Sequence, residues 1–512
     1  MTPRQNRLVL AASGTALVIF IGLDQLRSAA QPGGGGGVPD VIVGDIPNIL
    51  RQGSLGNETA FSLATTSCNI GTRHLDWLDE PSNLHPVITQ NLHRVRDGRI
   101  EQLGTMSWLK HGFSVLAGSV CGSCQDNSND RLGINCSDPY SAGLNGLQGG
   151  LGPRSEINAA TGAFPIPFKR LPVPRNVLDG RLRVANSDLD PASNAGARYF
   201  VESQYIHPQD AAAGKGLNNA SYREAFVEVQ GGGEFHLRLS ASSPIVRQKP
   251  AIQAWKTVHP DVTYHNIDVP NDGRLIVGIR HAASPAGAVR TTVAIQNLNS
   301  HRSARSLKLR FPDGSAANAG FHDIAYQHEP YSSADWNATI NGSEIEWKTG
   351  TFSADPNANA LRWSTMYTFW CESTAPPESL EVGFFRPDTP GSITIDLSQA
   401  PSGLAASLEP VADWASVEES INLGEVRRGA AVSFGVSSRS GLDRDLKSVD
   451  SSNKNLQANA NKNEDEESTS WKIDVSPNND AEAGYFESIV TLSTNNSSDQ
   501  PVRLRIFGEI VE

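Results

Sequence analysis

The sequence predicts a mainly β protein, of β-sandwich type, behind an irregular, disulfide-bearing N-terminal region. Three observations predict it. Short runs alternate apolar and polar side chains: EFHLRLS (234–240) sets Phe235, Leu237 and Leu239 against His236 and Arg238, and SLKLRF (306–311) sets Leu307, Leu309 and Phe311 against Lys308 and Arg310. A half-buried strand requires that period of two. The chain carries 46 Gly and 30 Pro, a load that an all-helical protein does not bear. Four of its five cysteines, Cys68, Cys121, Cys124 and Cys136, fall together in the N-terminal third.

Residues 1–30 read as a secretory signal peptide: Arg4 and Arg7 form a basic start, Leu8 to Leu23 is apolar, and Ser28-Ala29-Ala30 supplies small residues for cleavage. The mature chain is then expected to begin near Gln31. The competing reading is an uncleaved anchor, for which the apolar run is short against the ~20 residues of a span. Residues 31–38, with Gly33 to Gly37, read as a Gly-rich leader.

The next segment, 39–174, reads as a loop-rich, cysteine-containing region, Gly and Asn recurring as in SAGLNGLQGGLGPRSE (141–156). In an exported chain the four clustered cysteines read as two disulfides, three pairings being open, with Cys371 left as a buried free thiol. Cys121-Gly-Ser-Cys124 also has zinc-ligand and redox spacing, but no second ligand pair follows it and no βαβ pattern surrounds it. Gln125 stands where a haem-attachment motif needs His.

Residues 175–402 read as a β-rich, sandwich-like region, adding RLIVGI (274–279), TTVAIQ (291–296), SLEVGFF (379–385) and SITIDL (392–397) between Pro, Gly and Asn-Asp turns. Residues 403–512 read as a separate module, ending in PVRLRIFGEIV (501–511). Inside it, 443–469 is rich in Asp, Asn, Ser, Lys and Glu and nearly free of large apolar residues. That composition predicts a disordered insert whose excision leaves the module folded.

INLGEVRRG followed by AGYFESIVTLSTNNSSDQPVRLRIFGEIV (421–511) resembles the immunoglobulin-like modules of bacterial envelope proteins, of the ASPM–SPD2–hydin type. Residues 39–400 resemble a family of uncharacterised secreted proteins of planctomycete-like bacteria, in blocks such as TTSCNIG (65–71), SWLKHGF (107–113), LGPRSEINAATG (151–162), GFHDIAYQHEPY (320–331) and ANALRWSTMYTF (358–369). The first resemblance implies an immunoglobulin-like fold for the module. The second implies export and a β-rich C-terminal part, and brings no catalytic residue with it.

Several constellations can carry chemistry. His322-Asp323 and His328-Glu329 sit together in one stretch and form a candidate divalent-metal site, against the plainer reading of a loop network. His74, His85, His93 and His111 lie near the cysteine window without diagnostic spacing. Ser107-x-x-Lys110 with Lys348-Thr-Gly350 matches two elements of serine β-lactamases, but the S-D-N element is missing and Ser451 to Lys454 repeats the first by composition alone. Asp126-Asn-Ser-Asn-Asp130 spaces oxygen ligands as calcium loops do, with Arg131 where the turn glycine belongs. Trp77, Trp108, Trp336 and Trp347, if exposed, can stack on sugars.

A net charge of −12 argues against nucleic acid as a partner. The function expected is a non-catalytic structural or binding role in the bacterial cell envelope or outside it, secreted or periplasmic, toward an envelope protein or a glycan. No cofactor beyond a divalent metal is expected, and contact with membrane only through an uncleaved signal. The alternative is a secreted hydrolase or metal-dependent enzyme, its site in 65–160 or around His322.

Overall fold

The computed structural model describes residues 37–125, 127–284, 288–314, 316–398, 415–416, 420–438, 445–463, 470–481, 484–495 and 502–511. The expected signal peptide, most of the Gly-rich leader and Asp126 lie outside them. The fold is mainly β, in sheets whose pairings are antiparallel but for one.

Three sheets, besides the short pair Leu75–Asp76 with Arg131–Leu132, build the first body. Val41–Asp45, Thr65–Asn69 and Ser137–Tyr140 form one; Ile49–Leu55, Glu58–Leu63 and Leu182–Ala185 form another. The third and largest runs in the order Leu151–Pro153, Trp108–His111, Val87–Arg96, Arg198–Ile206, Ala220–Gln230, Glu234–Leu239, with Arg99–Thr105 folded back on Val87–Arg96. The hairpin between those last two turns at Asp97-Gly98, both with positive φ (52° and 79°), the two-residue geometry that matches strand twist. All three sheets feed one core that includes Val43, Phe61, Trp77, Leu92, Leu109 and Tyr205.

This pairing corrects the expected boundary at 174/175. Leu182–Ala185 pairs with Glu58–Leu63, and Arg198–Ile206 pairs with Val87 to Val95 of the strand Val87–Arg96, so residues before and after 174 share sheets and core.

The second body is a sandwich. One five-stranded sheet orders Thr263–Asp268, Arg274–Ala283, Val289–Asn297, Thr365–Ser373, Ala317–His322; the other orders Asn337–Asn341, Glu344–Lys348, Ala304–Arg310, Ser379–Phe384, Ser392–Asp396. Leu307 and Leu309 point inward with Val277, Ile295, Tyr367 and Val382, as their alternation requires. A further core joins the first body to the second: Val95, Ile100 and Phe200 pack with Trp255, Ile276, Ala294 and Met366.

In the C-terminal module two four-stranded sheets, Ala415–Ser416, Val432–Ser438, Ser470–Pro477, Leu456–Asn463 and Ser420–Arg427, Val502–Val511, Gly484–Thr494, Leu446–Ser451, close on one core with Trp471, Ile473, Val490, Leu504 and Ile506. The expected disordered insert is corrected here. Of 443–469, the described part contains the strands Leu446–Ser451 and Leu456–Asn463, each the edge of one sheet.

Cys68 pairs with Cys121 and Cys124 with Cys136; Cys371 is a buried free thiol, pushed up to about 12 by burial. The two cysteines of the C-x-x-C thus belong to different bridges. Gly44 is required beside the first one, since a Cβ there would lie 2.2 Å from Cys68 Sγ. Sequence separations of 53 and 12 residues give chain-entropy contributions of about 4 and about 3 kcal/mol. Paired alanine variants should therefore lower the denaturant midpoint more for Cys68/Cys121 than for Cys124/Cys136. Equal midpoints for variant and parent chains would show that neither loop is held by its bridge.

Candidate functional site

The four residues expected to bind a metal do not converge. His322 Nε2 lies 2.9 Å from Gln102 O, and the Asp323 carboxylate accepts from Asn359 Nδ2. His328 Nε2 lies 2.9 Å from Asp179 Oδ1, and Glu329 Oε1 accepts from Ser155 N at 3.1 Å. Burial raises Asp323 to about 6 and pushes Glu329 upward. Among the described residues no three His, Cys, Asp or Glu gather as a metal would require. The stretch 322–331 instead straps the second body to the first: Gln327 N donates to Ser107 Oγ, and Gln327 O accepts from Trp108 Nε1.

The other sequence candidates are also drawn into structure. Ser107, just before the strand Trp108–His111, accepts at Oγ from Gln327 N of the strap, while Lys110 on that strand turns to aromatic rings. Lys110 Nζ lies 5.6 and 5.9 Å from the Phe113 and Tyr140 ring centres, and burial lowers it to about 8. Lys348 is ion-paired with Glu346. In the calcium-like loop Asn127 Oδ1 accepts from Gly133 N and Asp130 accepts from Ser128 Oγ. Trp77, Trp108, Trp336 and Trp347 are all buried, so none forms a sugar platform. His85 Nε2 lies 3.0 Å from His111 Nδ1, a buried pair that burial lowers to about 4 and about 2.

His93 lies wholly inside the sheet, with neither ring nitrogen in a well-formed hydrogen bond and only a weak approach to the Phe200 backbone. Burial lowers it from 6.5 to about 3. A base depressed in the folded state gives stability that is present above pH 6.5 and lost as pH falls toward 3. His93→Leu should remove one buried polar group and that loss together. Its stability gain is expected to be larger at pH 5 than at pH 7.5 by ~2 kcal/mol, read by denaturant unfolding at both. A gain equal at both pH values would mean that His93 takes up its proton in the fold as readily as in the unfolded chain.

A concave polar recess lies where the strap, the second body and Arg154 meet. Arg154, Arg362 and Arg386 line it with His301, Tyr331 and Ser155, and its free volume of about 10 Å³ is that of roughly one water. Arg154, 1 % exposed, follows Pro153 at the end of a short strand and is held by neutral oxygens alone. Its Nη atoms donate to Thr89 Oγ1 (3.1 Å), Thr105 Oγ1, Met106 O and Trp363 O (2.7 Å each), and the guanidinium lies 4.8 Å from the Trp363 ring centre. Arg362 donates to Ala358 O and stacks 3.5 Å from the Tyr331 ring centre; Arg386 donates to His301 O and lies over Phe352. Burial, then the neighbouring guanidiniums, holds Arg386 below the usual arginine range and His301 at about 4. None of these residues was singled out by motif. Arg154, Arg362 and Trp363 lie inside the resembling blocks, but nothing in sequence brings them together with Arg386.

No protein family and no curated protein matches the chain. Among solved structures, a protein of unknown function from Porphyromonas gingivalis W83 aligns over 46% of this chain and 99% of its own, at 12% identity and TM-score 0.16. The CupB6 tip adhesin from Pseudomonas aeruginosa aligns over 49% and 98%, at 10% identity and TM-score 0.15. The N-terminal periplasmic domain of ScsB from Proteus mirabilis aligns over 49% and 99%, at 8% identity and TM-score 0.12. Scores this low assign neither fold nor function.

Proposed function

We propose that the chain is an exported protein of the bacterial cell envelope, secreted or periplasmic, with a non-catalytic structural or binding role. The observation that carries the reading is the pair of disulfides, Cys68–Cys121 and Cys124–Cys136, which persist in oxidising compartments and are reduced in the cytosol. The C-terminal module, two sheets on one core, is read as an immunoglobulin-like binding unit, and the partner as an envelope protein or a glycan. With the four tryptophans buried, a glycan would be held through polar groups. Fractionation of the native host, with non-reduced peptide mapping of the recovered protein, tests the compartment. Export predicts both bridges intact, a first residue near Gln31, and recovery outside the cytoplasm. Alkylation of Cys121 and Cys124 without prior reduction, in a cytoplasmic fraction, would overturn the reading.

A further inference from the structure

We infer that the recess formed by Arg154, Arg362, Arg386, His301 and Tyr331 is an oxyanion site that takes the terminal oxygens of a phosphate or phosphomonoester. The inference rests on the binding-role reading and gives that role a ligand class.

Charge carries the first part of the argument. Three guanidiniums and an imidazole meet at one recess, and none of the residues lining it is acidic. None of the three arginines forms an ion pair with a carboxylate among the described residues; their hydrogen bonds end on carbonyl and hydroxyl oxygens. The carboxyls that act on Arg154 through space, Glu329 and Glu202, lie outside the recess lining: Glu329 Oε1 accepts from Ser155 N while its Oε2 has no hydrogen bond, and Glu202 accepts from Asn91, Gln296 and Ala251 N. Asp272, beneath His301, is taken by Ser300 Oγ and the backbone N–H groups of His301 and Arg302. Those carboxylates offset part of the charge from a distance, but none lines the recess, so an anion meets guanidinium donors there and no carboxylate. Like charges brought together in a low-dielectric recess repel one another, and an anion relieves that repulsion.

Geometry carries the second part. Arg362 is held over the Tyr331 ring and by Ala358 O, and Arg386 by His301 O and Phe352, so little side-chain entropy is left to lose on binding. Guanidinium forks match the oxygen spacing of phosphate, and a dianion matches a site of several cations better than a monoanion. Free space of about 10 Å³ admits an oxygen, not a whole ligand. The rest of the anion, or the group it is esterified to, therefore stays at the mouth.

The test is calorimetric titration of the purified full-length protein with inorganic phosphate, at ionic strength fixed with sodium chloride. A saturable heat of one-to-one stoichiometry is expected, weakened at least tenfold in Arg386→Gln and less in Arg386→Lys, which keeps the charge without the fork. Unchanged thermal unfolding without phosphate checks that a variant is folded; if Arg386→Gln is not, Arg386→Lys against the parent decides. Glycerol 3-phosphate distinguishes the sources: affinity near that of phosphate assigns the site to an ester end, and binding of inorganic phosphate alone assigns it to the free ion. No saturable heat, an unchanged affinity in a folded Arg386 variant, or acetate binding as tightly as phosphate would overturn the assignment. Those results leave the compartment experiment untouched, so the two readings fail separately.

Discussion

Arg154→Met is expected to destabilise the protein by about 3–5 kcal/mol, a large loss against the ~5–15 kcal/mol of a domain. Methionine replaces much of the aliphatic stem but none of the donors. Four buried acceptors lose their partner: Thr89 Oγ1, Thr105 Oγ1, Met106 O and Trp363 O. The hydroxyls can turn elsewhere, and Thr105 Oγ1 already donates to Asn91 Oδ1. The two carbonyls cannot, and each stranded buried acceptor costs roughly 1–3 kcal/mol. Relief from burying an ion without a paired carboxylate acts in the opposite direction. It is partial, because neutral dipoles already solvate the guanidinium and Trp363 stacks on it. Since Trp363 leads into the second-body strand Thr365–Ser373 while its ring packs in the first body's core with Met106, the loss should also loosen the joint between the bodies. Arg154→Lys should recover part of it. Denaturant unfolding followed by tryptophan fluorescence reads both variants; an unmoved midpoint in Arg154→Met would show that the acceptors are satisfied without the guanidinium.

Strands with one wet face were legible in the sequence, because their alternation is the signal. Leu307 and Leu309 are buried between the outward Lys308 and Arg310, and Leu504 and Ile506 lie in the module core as their spacing implies. The N-terminal strands were not legible, because they bury polar side chains. Thr65–Asn69 is buried throughout, and Val87–Arg96 is buried from Val87 to Val95 although it carries Thr, Gln, Asn, His and Arg. Apart from His93, those side chains find partners across the fold: Gln90 bonds both backbone groups of Leu63, Asn91 bonds Glu202, and Glu202 also takes Gln296 and Ala251 N. Hydrophobic periodicity cannot register a strand that is buried through hydrogen bonds. The arginine recess was hidden for a different reason: residues 154, 362 and 386 are remote in sequence and meet only where two bodies join.

Removing 446–463 and bridging the gap with a Gly/Ser linker is expected to unfold the C-terminal module within the full chain. Composition pointed the other way, since the segment carries few large apolar residues. Its alternation is written in small ones: in Leu456–Asn463, Leu456 is buried and Ala458 and Ala460 half-buried, while Gln457, Asn459 and Asn461 are exposed. Leu446 and Val449 pack on the same core from the other sheet. The two strands are the edges of opposite sheets and follow one another in the chain, so together they close one side of the sandwich. Excision removes the ladder partners of both Ser470–Pro477 and Gly484–Thr494 along that side. It uncovers Trp471, Ile473, Val490 and Leu492 from the same direction. One fully buried Leu is worth roughly 1.5–3 kcal/mol, and four half-buried apolar side chains bring the sum to about 5 kcal/mol. The stability of a domain this small is of that order. Hydrogen exchange of the full-length variant reads the result: amides of Gly484–Thr494 should lose protection while those of Val87–Arg96 keep theirs. If Gly484–Thr494 stays protected, the two edge strands are dispensable and the sandwich is held by its six remaining strands.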